Sequence, residues 1–445
     1  MSLVNHSSLT TSIPEPDYQF SQLENGLIVA TLPMPWLHEV SVTVLVRSGS
    51  RFESEEESGI AHFLEHMLFK GTTKTPNPTK FHALIESMAA DMNAATGHES
   101  NAFWISMPTE QLQTALREFC AMFTDPVFSD IETERSVILA EMRDEENEQG
   151  ENTNSAVLSG RKFWPGHPLS RSILGLPEII KNLTAEHLKS YMQRQYLAGN
   201  MAIAFCGPVD HETSKKLAFE NLGKIAKGSS PTPAPPPPMA PGPHWEAVND
   251  QDAQFCLTIG FRTYGYNSPE YYKVVALRRL LDDGFSSRLQ ANIREKNGLA
   301  YDVWAAYPAF FECGTLELGA SVSPDNLETV FIALLDELKS AAENPPSEAE
   351  WQRLQTRWRA SLITQLDRPS ILIDRYVGDR LFGHQEPLSK AWDEAKKLDP
   401  SKLPIAVKEL MRPENMVVVL IGPKARESLP RLETIFQQRS NPGVS

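Results

Sequence analysis

The stretch GIAHFLEHMLFKGT, residues 59–72, is apolar around nearly its whole helical circumference, yet it carries two histidines and a glutamate. At about 100° per residue, His62, Glu65 and His66 share one narrow stripe, while Phe63, Leu64, Met67 and Leu68 fill the rest of the wheel. A helix that is apolar all round is a buried one. Ser58 is placed to cap its start, just past an acidic run that suits the positive end, and Gly71 to end it. Three ionisable groups are therefore expected indoors together.

The length of 445 residues exceeds one ordinary core, so two or more domains are expected. With 41% hydrophobic and 22% charged residues, the composition is that of a soluble globular protein. A net charge of -15 and a pI near 5.3 argue against nucleic acid or an anionic membrane as main partners, because both need a basic surface. No apolar run approaches the ~20 residues that span a bilayer. The opening MSLVNHSSLTTSIPEPDYQF lacks the basic and apolar regions of a secretory signal, which gives a cytoplasmic expectation. Cys120, Cys206, Cys256 and Cys313 show no paired spacing and read as reduced core thiols.

The sharpest composition shift is KGSSPTPAPPPPMAPGPHW, residues 227–245, whose prolines favour an extended, semi-rigid spacer. It divides the chain into a first domain at 1–228, a linker at 229–247 and a second domain at 248–445. The two halves echo each other. NMAIAFCGP at 200–208 and NMVVVLIGP at 415–423 both read as a buried strand closed by a turn. KVVALRRLLDDG at 273–284 overlies GIAHFLEHMLFKG, and GHQEPL at 383–388 echoes GHPL at 166–169. A repeated α+β domain is the economical explanation. In the second copy, Val275, Arg278 and Arg279 replace His62, Glu65 and His66, so the fold does not require those three side chains.

IETERSVILAEMRDEENEQ, residues 131–149, reads as a helix in which Glu134 and Glu141, two turns apart, flank the apolar stripe of Val137 and Ile138. Alone, the pair also reads as two solvated glutamates, and His-x-x-Glu-His also reads as a structural histidine pair. Taken together, histidines at i and i+4 offer two corners of a tetrahedral zinc site, a carboxylate the third, and water the fourth.

HFLEH at 62–66 is the inverted zinc motif of the inverzincins. With ERSVILAE at 134–141, the chain resembles the pitrilysin and insulin-degrading-enzyme family, in the half-length branch that includes mitochondrial processing peptidase. The resemblance runs from LENGLIVATLP at 23–33 to the closing strand. It implies one Zn2+ per chain held by His62, His66 and Glu141, with Glu65 as general base and Glu134 orienting a ligating histidine. It further implies that Asn93 and Ala94, in DMNAATGHESNAFW, line the cleft, and that an extended substrate pairs near Phe103 and Trp104. Arg294 and Tyr301, in LQANIREKNGLAYDVWA, match the family's arginine and tyrosine motif, suited to gripping substrate and an oxyanion, although Asn297-Gly298 breaks the helix between them.

The fold implied is two homologous domains, each a mainly antiparallel sheet packed with helices. Together they form half of a clam-shell chamber, completed by a homodimer or by a heterodimer with a related chain. The activity implied is a zinc endopeptidase acting on peptides or on leader and presequence segments. The alternatives are a non-catalytic or partner-dependent subunit, and a metal held purely for structure.

Overall fold

The computed structural model describes residues 12–229, 232–382 and 387–440. Gly383–Glu386 of the GHQEPL echo and most of the N-terminal stretch read above lie outside the described residues. The first sheet has six strands, β1 (Gln19–Gln22), β2 (Ile28–Pro33), β3 (Glu39–Val46), β4 (Asp91–Thr96), β5 (Asn101–Pro108) and β6 (Met201–Gly207), in the order β1-β2-β6-β3-β5-β4. The second has five, β7 (His244–Asn249), β8 (Phe255–Tyr264), β9 (Asp302–Ala306), β10 (Cys313–Val322) and β11 (Met416–Gly422), in the order β7-β11-β8-β10-β9. Without β1, the two orders are the same. β6 pairs parallel to β2 and antiparallel to β3, β11 likewise pairs parallel to β7 and antiparallel to β8, and every other pair is antiparallel.

The echoing segments are β6 and β11, which hold equivalent central places. Both are buried along their whole length, which explains their continuous apolar runs. Both end on glycines with positive φ, Gly207 at 134° and Gly422 at 143°. A Cβ there would lie 2.5 Å from the Glu39 carbonyl oxygen or 2.7 Å from that of Gln254, so the Gly-Pro turn needs glycine twice.

Side-chain alternation on these strands divides the core. Met201, Ile203 and Phe205 of β6 face the first half's own helices, whereas Ala202, Ala204 and Cys206 face Trp351, Leu354, Trp358 and Trp392 of the second half. On β11, Met416, Val418 and Leu420 face the second half's helices, and Val417, Val419 and Ile421 meet Leu158, Phe163, Trp164 and Leu169 of the first. Each half thus covers the back of the other's sheet, and neither sheet leaves a long apolar face in water.

The proline-rich segment is fastened to both halves. The Ala234 carbonyl accepts from Arg51 at 3.2 Å and His167 at 3.0 Å, and the carbonyls of Pro236 and Pro237 accept from Arg262. No described helix is long and apolar enough to cross a membrane.

Candidate metal centre

The helix Ile60–Leu68 buries Ile60, Ala61, Phe63, Leu64, Met67 and Leu68 completely. Its start differs from the expectation: Ser58 makes no capping bond, and its hydroxyl is buried without a partner. The cap is Glu53, whose two carboxyl oxygens accept from the Gly59 and Ala61 amides at 2.8 and 2.9 Å. A side chain at Ser58 is too close in sequence to reach around the sharp turn at Gly59, where φ is 90°. Gly59 lies back to back with Gly175, and a Cβ on either would clash with the other's Cα. The helix ends at Leu68 with Phe69 as its C-cap, two residues before Gly71.

Packed against it is the helix Ile131–Asp144. Its buried residues are Glu134, Arg135, Ile138 and Met142, whereas Val137, expected on the same stripe, is 47% exposed. This rotation turns Glu134 and Glu141 toward the histidines. His62 Nε2 and His66 Nε2 stand 3.2 Å apart, and Glu141 Oε2 lies 3.8 Å from each. The centre of a triangle with those sides is about 2.1 Å from every corner, the length of a zinc–imidazole or zinc–carboxylate bond. Among the described residues, these three form the group of histidine, cysteine or carboxylate atoms close enough to share one metal ion. A cleft of about 470 Å³ opens in front of them.

The surroundings differentiate the three ionisable groups of the first helix. His66 Nδ1 is 2.8 Å from Glu134 Oε1, which fixes the tautomer that leaves Nε2 as a lone pair. The other Glu134 oxygen pairs with Lys70. Burial acts downward on His66, but the bond to Glu134 and the surrounding carboxylates outweigh it and its pKa is raised. Glu134 is lowered, because His66 and Lys70 overcome the upward effect of burial. His62 is pushed down to about 4 by burial and by neighbouring His66, so at neutral pH it is an uncharged donor. Its Nδ1 is buried without a partner. Glu65 stands outside the ligand triangle and accepts from Thr96 Oγ1 at 2.5 Å. Burial raises its pKa, and the Thr96 bond opposes the rise.

The remaining expected residues fall in two places. Asn93 and Ala94 lie on β4, whose Ala94, Ala95 and Thr96 line the cleft. Phe103 and Trp104 lie on β5, which is paired on both edges, to β3 and to β4, and Phe103 is buried in the core. The edge open to an added strand therefore belongs to β4, one strand outside the place expected at Phe103 and Trp104. Arg294 and Tyr301 are not brought to the cleft. Arg294 lies over the Phe285 ring at 5.5 Å, Tyr301 is 81% exposed, and neither is among the residues lining the cleft. Arg294 sits within Gln290–Glu295, which widens into a π-helix, and between it and Tyr301 the chain turns at Gly298 with φ of 58°.

Sequence reasoning passed over Glu53, Thr96 and a buried ionic group. Arg51 pairs with Glu99, at the β4–β5 turn, and with Glu312 of the second half, while the Phe311 amide donates to Glu99. A signal was present in the acidic run before the helix and in the period-2 alternation that puts Thr96 on the same face as Ala94.

Residues 28–175 match the family described as Insulinase (Peptidase family M16), and residues 182–357 match Peptidase M16 inactive domain. An "Uncharacterized zinc protease" of Rickettsia felis is 30% identical over 354 residues, which cover 78% of this chain and 83% of that protein. The probable mitochondrial-processing peptidase subunit beta of Arabidopsis thaliana is 25% identical over 438 residues, 95% of this chain and 81% of that one. A protease from Helicobacter pylori shares the fold with a TM-score of 0.83 at 22% identity, covering 92% of this chain and all of that one. The periplasmic protease PqqL from Escherichia coli matches with a TM-score of 0.78 at 20% identity, over 98% of this chain but 51% of that chain.

Proposed function

The chain belongs to peptidase family M16, the insulinase family, and from that premise we propose that it is a zinc-dependent endopeptidase. The observation that carries the reading is the convergence of His62 Nε2, His66 Nε2 and Glu141 Oε2 on one point beside a glutamate that is not part of the triangle. His62, His66 and Glu141 would hold a zinc ion, which would supply the Lewis acidity that makes water a nucleophile near neutral pH. The protein's own groups do the rest. Glu65 takes the proton of the attacking water and returns it to the leaving amine. Glu134 keeps the His66 ring oriented with the correct nitrogen outward. The free edge of β4 receives the peptide as an added strand, with Asn93 and Ala94 on the strand that carries it.

We place the first domain at 1–228 because β6 completes its sheet, and the second domain from β7 at His244 onward, so the spacer expected at 229–247 ends earlier, at 243. The metal ligands belong to the first, and Arg294 and Tyr301 to the second. Their position away from the cleft supports a partner-dependent enzyme in which a second chain, identical or related, closes a chamber and supplies the arginine and tyrosine. In that arrangement they grip substrate and the developing oxyanion. Peptides and leader or presequence segments are the substrates such an enclosed cleft admits. A subunit without activity of its own is the rival, since the second half matches a domain described as inactive.

The test is turnover of a quenched fluorescent peptide library by the purified chain, as isolated, after chelation, and after zinc is restored. Cleavage that is lost on chelation and regained with zinc supports the reading. Stoichiometric zinc with no cleavage, alone or with a related chain, would identify a structural metal.

A further inference from the structure

Three side chains that hold no metal form a line of hydrogen bonds ending on Glu65. Thr96 Oγ1 is 2.5 Å from Glu65 Oε2, Asn101 Nδ2 is 2.6 Å from Thr96 Oγ1, and Ser48 Oγ is 2.5 Å from Asn101 Oδ1. Ser48 and Asn101 are completely buried. All three sit at one end of adjacent strands. Ser48 follows β3, Thr96 closes β4, Asn101 opens β5, and Thr96 and Asn101 are register partners.

The direction of the line follows from its end. A glutamate acting as a base is ionised and can only accept, so the Thr96 hydroxyl must donate to it. The Thr96 oxygen is then the acceptor for the Asn101 amide. The Asn101 carbonyl oxygen consequently faces Ser48, which donates. Each group has one role left to it, and the hydroxyl proton on Thr96 has one place to point. Glu65 Oε2 is thereby pinned, leaving Oε1 for the proton in transit.

We propose that Thr96, held by Asn101 and Ser48, is the positioning residue of the general base, and that it ties Glu65 to the strand that carries the substrate. This rests on the reading of Glu65 as the base. Thr96 belongs to β4, the edge strand facing the cleft, so one strand fixes both the proton acceptor and the backbone along which a peptide would add. The base and the scissile carbonyl then share one frame, and a substrate that docks on β4 arrives already aligned with Glu65.

The test compares Thr96→Val, which keeps shape and removes the hydroxyl, with Thr96→Ser, which keeps the hydroxyl. Both are assayed as the zinc-loaded full chain, with its partner chain where activity needs one. Thr96→Val is expected to lower kcat about 10- to 100-fold with KM within about twofold and zinc content unchanged, and Thr96→Ser to recover most of kcat. Crystals of Thr96→Val should show the Glu65 carboxylate in a different rotamer, a readout independent of turnover. Wild-type kcat in Thr96→Val, or equal losses in the two variants, would overturn the proposal, as would loss of zinc from Thr96→Val. A Glu65→Gln control separates the two levels. If it retains activity, the assignment of Glu65 itself falls; if it is inactive while Thr96→Val is fully active, only the role of Thr96 falls.

Discussion

Replacing Glu134 with Gln isolates the charge behind His66. The carboxylate is 5% exposed, holds His66 Nδ1 at 2.8 Å and pairs with Lys70 through its second oxygen. The amide keeps the size and one carbonyl oxygen for His66, so the loss is the difference between a charged and a neutral acceptor. Hydrogen bonds to charged groups contribute about 1.5–3 kcal/mol and neutral ones about 0.5–1.5, which puts that difference near 1–1.5 kcal/mol. At about 1.4 kcal/mol per factor of ten, zinc affinity should fall roughly tenfold. Lys70 loses its partner beside a site meant for a dication, which pushes the loss toward the upper part of the ~10- to 100-fold range typical of such supporting groups. Competition against a chromophoric zinc chelator at fixed pH reads this directly. Lys70→Met, which leaves the His66 bond in place and removes a cation near the site, should not weaken zinc binding. An affinity within twofold of wild type for Glu134→Gln would refute the reasoning, because it would mean that the charge on Glu134 does not reach the metal through His66.

His62→Ala or His66→Ala should abolish zinc binding and turnover while circular dichroism and the cooperative melt persist, since Val275 and Arg279 occupy the equivalent places in the second half's helix; a collapse of the melt would make the metal structural. Burial pushes Glu53 up to about 8, above its unfolded value, so the stability it contributes is complete below the ordinary carboxyl range and is lost as pH rises toward and through 8. The melting temperature should therefore fall between pH 5 and 8, by less in Glu53→Gln, and equal slopes would remove Glu53 as the cause. If two copies complete each other's sites, mixing inactive Glu65→Gln with inactive Tyr301→Phe should restore about a quarter of wild-type turnover, as half the dimers would be mixed and each would hold one intact site. No recovery after verified subunit exchange would point to a different partner chain.

What the sequence makes legible is local periodicity. The i and i+4 spacing puts His62 and His66 on one face, and their Nε2 atoms lie 3.2 Å apart. The twin NM…GP segments mark the central strands β6 and β11, because a strand buried on both faces must be apolar at every residue. Contacts made across long sequence separations stay hidden. Glu53 caps the helix by reaching past the nearer Ser58, and no propensity distinguishes it from Glu55, Glu56 or Glu57. Phe103 and Trp104 alternate like a cleft strand, but whether a strand is central or at the edge depends on its neighbours, and β4 holds the edge. The exchange of helices between the halves is equally silent, since an apolar back face does not name its partner. The proline-rich segment reads as a spacer by composition, while its carbonyls, which composition does not weigh, fasten it to Arg51, His167 and Arg262.

The most direct test of the central claim is the zinc content of the Glu65→Gln protein, taken together with its turnover of a peptide that the wild-type protein cleaves under the same conditions. With His62, His66 and Glu141 as the ligands and Glu65 moving the proton, the variant should carry about one zinc ion per chain and show no cleavage above background. Loss of most of the zinc would make Glu65 a ligand, and zinc-replete protein that still cleaves would remove it as the base; either result contradicts the account.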